Sequence, residues 1–250
     1  MQSTQLPPFS KIIAHRGASA LAPENTLAAF RKASEIGANW VEFDVMLTQD
    51  NEVVVIHDET LDRTTNGKGL VSDHPYRYLA TLDAGSWFDP KFSEEKIPTL
   101  AQVIDTLRHY QLAANIEIKP AVGKEEETVK RVLQVIDACW QSNMPAPLIS
   151  SFSPQVLHCV RQHSKTHFLA YLMDEWQTDW QKKCTELNCI SVDANHTILN
   201  ETRVAEIKKT NRFVLSYTVD DPQVAQQLFA FGVDAVFSNC PMEMKRFLSV

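Results

Sequence analysis

Apolar and polar positions along the chain follow two alternating rhythms. Short β-branched runs fall at residues 11–14, 40–44, 53–57, 115–118, 148–151, 168–172, 190–193, 213–218 and 235–238. Between many of them, apolar residues return every three or four positions, as on the buried stripe of a helix. Leu27, Phe30 and Ala33 or Ser34 form one such stripe, with Gly37 after it; Leu100, Val103, Ile104 and Leu107 form another, behind Thr99. Gly123 precedes a Glu-rich first turn and then Val129, Val132, Leu133, Ile136 and Trp140. Ser153-Pro154 and Asp221-Pro222 each set a capping side chain before a proline that suits the first helical position. Strand, helix, strand in this order predicts a parallel α/β sheet with crossover helices, and the length fits one (β/α)8 barrel.

The strand runs number one more than such a barrel uses. Only Gln49-Asp50-Asn51-Glu52 separates the second run from the third, too short for a crossover helix, so these two are expected to form an antiparallel hairpin. Pairing Thr48 with Val53 would set Asp44 opposite His57 and return the second arm to the barrel mouth. From about 59 to 97 the alternation lapses into a Gly, Asp, Ser and aromatic stretch with Trp87, Phe88 and Phe92, expected as a cap insertion over the site. No linker or internal repeat divides the chain, so residues 1–250 are expected to form a single domain.

Composition narrows the function classes. The 250 residues are 44% hydrophobic, enough for one sizeable core, and carry a formal charge of -7 from 31 acidic and 24 basic side chains. That balance offers no broad attraction for nucleic acid or anionic lipid, so neither nucleic-acid binding nor stable membrane association is expected, and a phosphate site must be local. Residues 1–11 lack the basic start and apolar stretch of a secretory signal, and no later run is long enough to span a bilayer. Cys139, Cys159, Cys184, Cys189 and Cys240 are scattered without a Cys-x-x-Cys pair. They read as reduced thiols of a soluble, cytoplasmic protein.

Barrel chemistry is carried by the C-terminal ends of strands. His15, Arg16, Glu42, Asp44, His57, Asp58, Glu117 and Lys119 all end apolar runs. Residues two apart on a strand share a face, so Glu42 and Asp44 point together, and Glu117 can meet them from another strand. Three crowded carboxylates repel unless a cation lies between them, and an all-oxygen set favours Mg2+ or Ca2+ over zinc. The same residues also fit a structural ion network in which Glu42 and Glu117 pair with Lys119 or Arg16. His15 and His57 suit acid-base work on a phosphodiester, Arg16 a bidentate phosphate contact, and Lys119 a second positive charge. Phe152 and His196 follow strands and are candidates for the pocket wall, whereas His74, His109, His158, His163 and His167 read as surface or packing residues.

"AHRGASALAPENTLAAF", "VEFDVMLTQDNEVVVIHDETLDRTTNGKG", "GSWFDPKFSEEKIPTL" and "IEIK" resemble successive blocks of the glycerophosphodiester phosphodiesterases, of the bacterial cytoplasmic type. The blocks from Ala14 to Lys119 are specific in order and spacing; "SSFSP", "VDANHTILN", "SYTVDDP" and "AVFSNCP" match more loosely. The resemblance implies a (β/α)8 barrel with a small insertion, one divalent cation on Glu42, Asp44 and Glu117, acid-base roles for His15 and His57, and phosphate contacts from Arg16 and Lys119. It also implies support of the site by Glu24, Asn25 and Thr26, of which helix capping explains the last two equally well. Two residues depart from the family's habit: Tyr217 stands where Trp is common, and Asn239 where Asp is common. Tyr217 is expected against the glycerol carbons or as a core aromatic.

The implied reaction is hydrolysis of small soluble glycerophosphodiesters to glycerol 3-phosphate and an alcohol. A phosphodiesterase acting on a lysophospholipid or phosphoinositide headgroup, and a catalytically silent phosphate-binding barrel, remain as alternatives.

Overall fold

The structure, a computed structural model, describes residue 6 and residues 8–249, so the segment 1–11 read for a signal lies partly outside the described residues. Nine strands form one sheet: β1 (Ile12–His15), β2 (Trp40–Leu47), β3 (Val53–Val55), β4 (Ala113–Ile118), β5 (Leu148–Ser151), β6 (Phe168–Met173), β7 (Ser191–Asn195), β8 (Phe213–Tyr217) and β9 (Ala235–Ser238). All but β3 pair in parallel, and β1 bonds to both β2 and β9, which closes the barrel. Helices between and after these strands include Leu27–Glu35, Leu100–Tyr110, Glu125–Cys139, Pro154–His163, Pro222–Phe231 and Pro241–Leu248.

The strands read as unbroken apolar runs because both faces are buried. One face, with Val41, Phe43, Ala114, Ile116 and Ile149, packs against the helices. The other contributes Ile13, Trp40, Ala113, Leu148, Ala170, Leu215 and Phe237 to a separate core inside the barrel. Trp40 is also met by Phe9, with ring centroids 4.9 Å apart, and its Nε1 donates to the Pro8 carbonyl at 3.0 Å. The helix starts obey their caps: Thr99 and Gln102 form a reciprocal capping box, and Ser153 and Asp221 each accept a backbone N–H ahead of their prolines.

β3 is the second arm of the hairpin, as the short link requires, but its register differs by one residue from the expected pairing. Val45 pairs with Val55 and Leu47 with Val53, so Asp44 lies opposite Ile56 and not His57. The cause is the turn: Thr48 N–H donates to the Glu52 carbonyl at 3.0 Å, leaving a three-residue loop closed by Asn51 at φ 61. A left-handed residue ending a three-residue loop is a standard hairpin solution, and Asn tolerates it. The arm still returns to the mouth, where the Ile56 N–H bonds the Asp44 carbonyl at 3.1 Å and His57 follows.

Residues 59–97 build a satellite core with the outer side of the hairpin, combining Leu61, Val71, Leu79, Leu82 and Ile97 with Met46, Val54 and Ile56. Its aromatic residues lie to one side: Phe92 packs on Ala22, Ala28 and Ala29, and Trp87, Phe88 and Phe92 stack edge to face.

Candidate active site

Every group collected at a strand end, from His15 to Lys119, meets at one end of the barrel. After β1 the backbone turns through Arg16 at φ 55 and Gly17 at φ 79, conformations that disfavour side chains. A Cβ on Gly17 would lie 2.7 Å from both the carbonyl carbon and the Cβ of Ala29, so this position accepts glycine alone. The turn aims the Arg16 N–H at Glu42 Oε2, 3.1 Å away, and brings the guanidinium over Asp44, with Nε 3.5 Å from Oδ2.

β2 sets Glu42 and Asp44 on its inward face, and register pairs Asp44 with Glu117 on β4. One oxygen from each of the three lies within 4.8 Å of the others. Arg16, Lys119 and Asn25 all turn to Asp44, Lys119 at 3.7 Å and Asn25 Nδ2 at 2.9 Å. Glu117 Oε1 is buried with no hydrogen-bond partner. A structural ion network would have given that oxygen a cation, so the geometry disfavours it. Burial, then the charges of Asp44 and Glu117, push the Glu42 carboxyl well above the usual range; burial and Asp44 raise Glu117 to about 8. Crowded, buried oxygens with an unsatisfied acceptor fit a hard divalent cation.

Both histidines are oriented through Nδ1. His15 Nδ1 lies 2.7 Å from Asn239 Oδ1, and the amide cannot be reversed without loss because its Nδ2 donates to Asp220 Oδ2 at 2.7 Å. His57 Nδ1 lies 2.6 Å from Asp58 Oδ1. In each ring Nδ1 therefore carries the proton, and Nε2 is left for chemistry. His15 Nε2 is 3.8 Å from Glu42 Oε2. Burial, followed by the Arg16 charge, lowers His15 to about 4, and burial is also the largest cause lowering His57.

Both rings line a cavity of about 100 Å³ with Arg16, Glu42, Asn115 and Glu117 on its polar side and Phe152, Leu172, Tyr217 and Phe237 on its apolar side. Phe152 and Tyr217 meet edge to face, with centroids 5.9 Å apart. The Tyr217 hydroxyl is buried without a partner, which pushes its pKa upward. No residue of 59–97 lines this cavity; Thr64, Ala84, Lys96 and Ile97 of the insertion line a small adjoining pocket with Glu24, Asn25 and His57. His196 sets Nδ1 3.4 Å from the Tyr217 carbonyl and is not among the lining residues.

Three features went unread in the sequence. Asn115 sits two residues before Glu117 and so shares its face, a signal that was present. Asp193 is fully buried inside the barrel, raised to about 7 by burial, with Ser191 Oγ on one oxygen at 2.9 Å and nothing on the other. Arg63 bridges Asp58 and Glu24 from the insertion, and no local pattern announces it.

Arg16, an oxygen cluster suited to a divalent cation and two oriented imidazoles share one mouth, and Lys119 adds a second positive charge 3.7 Å from Asp44 without lining the cavity. On a (β/α)8 barrel these define a hydrolase of the phosphodiesterase class. Residues 15–243 match the family described as "Glycerophosphoryl diester phosphodiesterase family". A glycerophosphodiester phosphodiesterase of Caldanaerobacter subterraneus subsp. tengcongensis is 36% identical over 239 residues, spanning 92% of this chain and 94% of its own. One from Bacillus subtilis is 31% identical over 243 residues, 92% of this chain and 83% of its own. A phosphodiesterase of Oleispira antarctica, solved in complex with the product sn-glycerol-3-phosphate, is 36% identical and superposes with a TM-score of 0.94 over 100% of both chains. The chain belongs to the glycerophosphoryl diester phosphodiesterase family, and it is an enzyme, a phosphoric diester hydrolase.

Proposed function

We propose that the protein hydrolyses small glycerophosphodiesters to glycerol 3-phosphate and an alcohol, with one divalent cation, Mg2+ or Ca2+, held by Glu42, Asp44 and Glu117. The observation that carries the reading is the unpartnered Glu117 oxygen in a trio of carboxylates beside two histidines whose Nε2 atoms are free. When bound, the cation supplies Lewis-acid polarisation of a phosphoryl oxygen. Arg16 and Lys119 hold the remaining phosphoryl oxygens and oppose the charge that develops on them. One histidine takes the proton of the attacking oxygen at Nε2, while the other, entering the step as an imidazolium with Nδ1–H still on its partner, gives its Nε2 proton to the departing alkoxide and is left neutral. The apolar wall of Phe152, Leu172, Tyr217 and Phe237 suits the carbon skeleton of a glycerol unit, and the product seen in the Oleispira antarctica relative supports that choice of substrate. A core running from Ile12 to Met244 supports reading 1–250 as one folding unit with 59–97 inserted. Five free cysteines support a reducing, cytoplasmic setting.

The test is release of glycerol 3-phosphate from glycerophosphocholine and glycerophosphoethanolamine by the purified protein, with Mg2+ or Ca2+ and again after chelation. Release should require the cation, and His15→Ala and His57→Ala should each lower turnover by about 10² to 10⁴. Near-normal turnover in either folded variant removes that histidine from the mechanism. Equal release after exhaustive chelation removes the cation.

A further inference from the structure

The insertion supplies no lining residue to the cavity between the two histidines, yet one of its side chains is tied to the site. Arg63 rises from a firmly held turn. Leu61 is fully buried, its N–H bonds the Gly69 carbonyl at 2.9 Å, and its carbonyl accepts Thr65 Oγ1 at 2.6 Å. From there the guanidinium grips two carboxylates. Nε and Nη2 donate to Asp58 at 2.6 and 3.0 Å, while Nη1 and Nη2 donate to Glu24 at 2.7 and 2.9 Å.

Each carboxylate also holds a residue of the mouth. Glu24 accepts Arg16 Nη1 at 2.8 Å, and Asp58 lies 2.6 Å from His57 Nδ1. The second contact sets the tautomer. Asp58, ionised against Arg63, can only accept, so Nδ1 keeps the ring proton and Nε2 faces the reaction. Without Arg63 the Asp58 side chain, beside His57 in sequence and partly exposed, loses the bonds that fix both its oxygens, and the imidazole loses its fixed partner. Lysine cannot replace this fork, because one ammonium does not present paired N–H groups to two carboxylates.

We propose that Arg63 is a positioning residue for proton transfer: clamped from the insertion, it fixes Asp58 and, through it, the orientation and tautomer of His57. The proposal rests on the reading of His57 as one of the acid-base pair. Outer partners of catalytic groups are typically worth about 10- to 100-fold in activity.

The test uses the full chain with Arg63→Met, Arg63→Lys, Asp58→Asn and the Arg63→Met/Asp58→Asn double variant. Arg63→Met should lower kcat by about 10- to 100-fold with KM changed far less, and Arg63→Lys should recover only part of the loss. Because Arg63 acts on His57 through Asp58, adding Arg63→Met to Asp58→Asn should lower kcat far less than Arg63→Met does alone, while the separate loss of its bonds to Glu24, which holds Arg16, appears in KM. Independently of activity, ¹⁵N spectra of the His57 ring in the cation-free protein should show Nδ1 protonated in the parent and mixed tautomers in Arg63→Met. Fully additive losses, or an unchanged ring spectrum in Arg63→Met, overturn the proposal. Normal turnover of His57→Ala would instead remove the acid-base reading, and the ring spectrum would still decide whether Arg63 holds the imidazole.

Discussion

Stripped of divalent cations, the protein should lose stability as pH rises through neutrality. Glu117 is raised from 4.5 to about 8, and Glu42 well above its ordinary value, by burial first and then by neighbouring acids. A folded-state pKa above the unfolded one means that the folded chain keeps protons the unfolded chain has released. The associated stability is therefore fully present below the unfolded value and drains away as pH climbs through the folded one. Histidines work in the opposite sense at lower pH, since His15 is depressed to about 4 and gains stability as pH rises towards 6.5. The informative window thus lies between about pH 6.5 and 8, above the ordinary histidine range and below that of the thiols and phenols. Across it Glu117 alone is worth about 2 kcal/mol, at roughly 1.4 kcal/mol per tenfold change in proton activity. For a chain of this size that is roughly 4 to 8 °C in Tm. Glu42 and Asp193, the latter raised to about 7, add in the same direction. Thermal melts of chelated protein across the window, repeated in saturating Mg2+ or Ca2+, measure the effect. A cation bound by the ionised trio, as proposed, should flatten or reverse the slope. Glu117→Gln should lose its share and keep that of Asp193. Flat or rising stability of the chelated parent, or an undiminished slope in Glu117→Gln, would refute the reasoning.

Three further outcomes follow from single contacts. Gly17→Ala, with its Cβ driven onto Ala29 at a positive φ, should destabilise the fold by more than about 1 kcal/mol and raise KM by displacing Arg16; a melt and a KM together check it. Asn239→Asp places a carboxylate against His15 Nδ1 and should raise the His15 pKa, against some repulsion from Asp220, so an unmoved titration of the ring protons by NMR would count against the contact. Tyr217→Phe removes a buried hydroxyl that has no partner and should leave Tm unchanged or higher by about 1 kcal/mol of stability, whereas a large loss would mean that the hydroxyl is satisfied.

How much of this was legible depended on whether the signal was local. The strands and capped helices follow from periodicity and cap chemistry, and the acidic trio from carboxylates two apart on one strand and a third at another strand's end. The hairpin register failed by one because loop length was counted without its left-handed residue, Asn51, which lets Thr48 pair with Glu52. Arg63 was invisible for a different reason: it meets Glu24 across 39 residues, in a segment without periodicity. Asp193 hides in a strand, Ser191–Asn195, that alternates polar and apolar residues, a pattern that reads as one solvated face rather than a buried acid.

The placement of His57 just beyond β3 gives the two imidazoles unequal mountings. β1 is laddered on both sides within a closed ring, so His15 and the carboxylates of β2 and β4 share one stiff frame. β3 has only three residues, is laddered to β2 alone, and meets residues 98–99 through an isolated bridge and one backbone bond. On the proposed mechanism the compliant dimension of the mouth is therefore the gap between the two rings, and alcohols of different bulk would be received there with the carboxylate trio undisturbed.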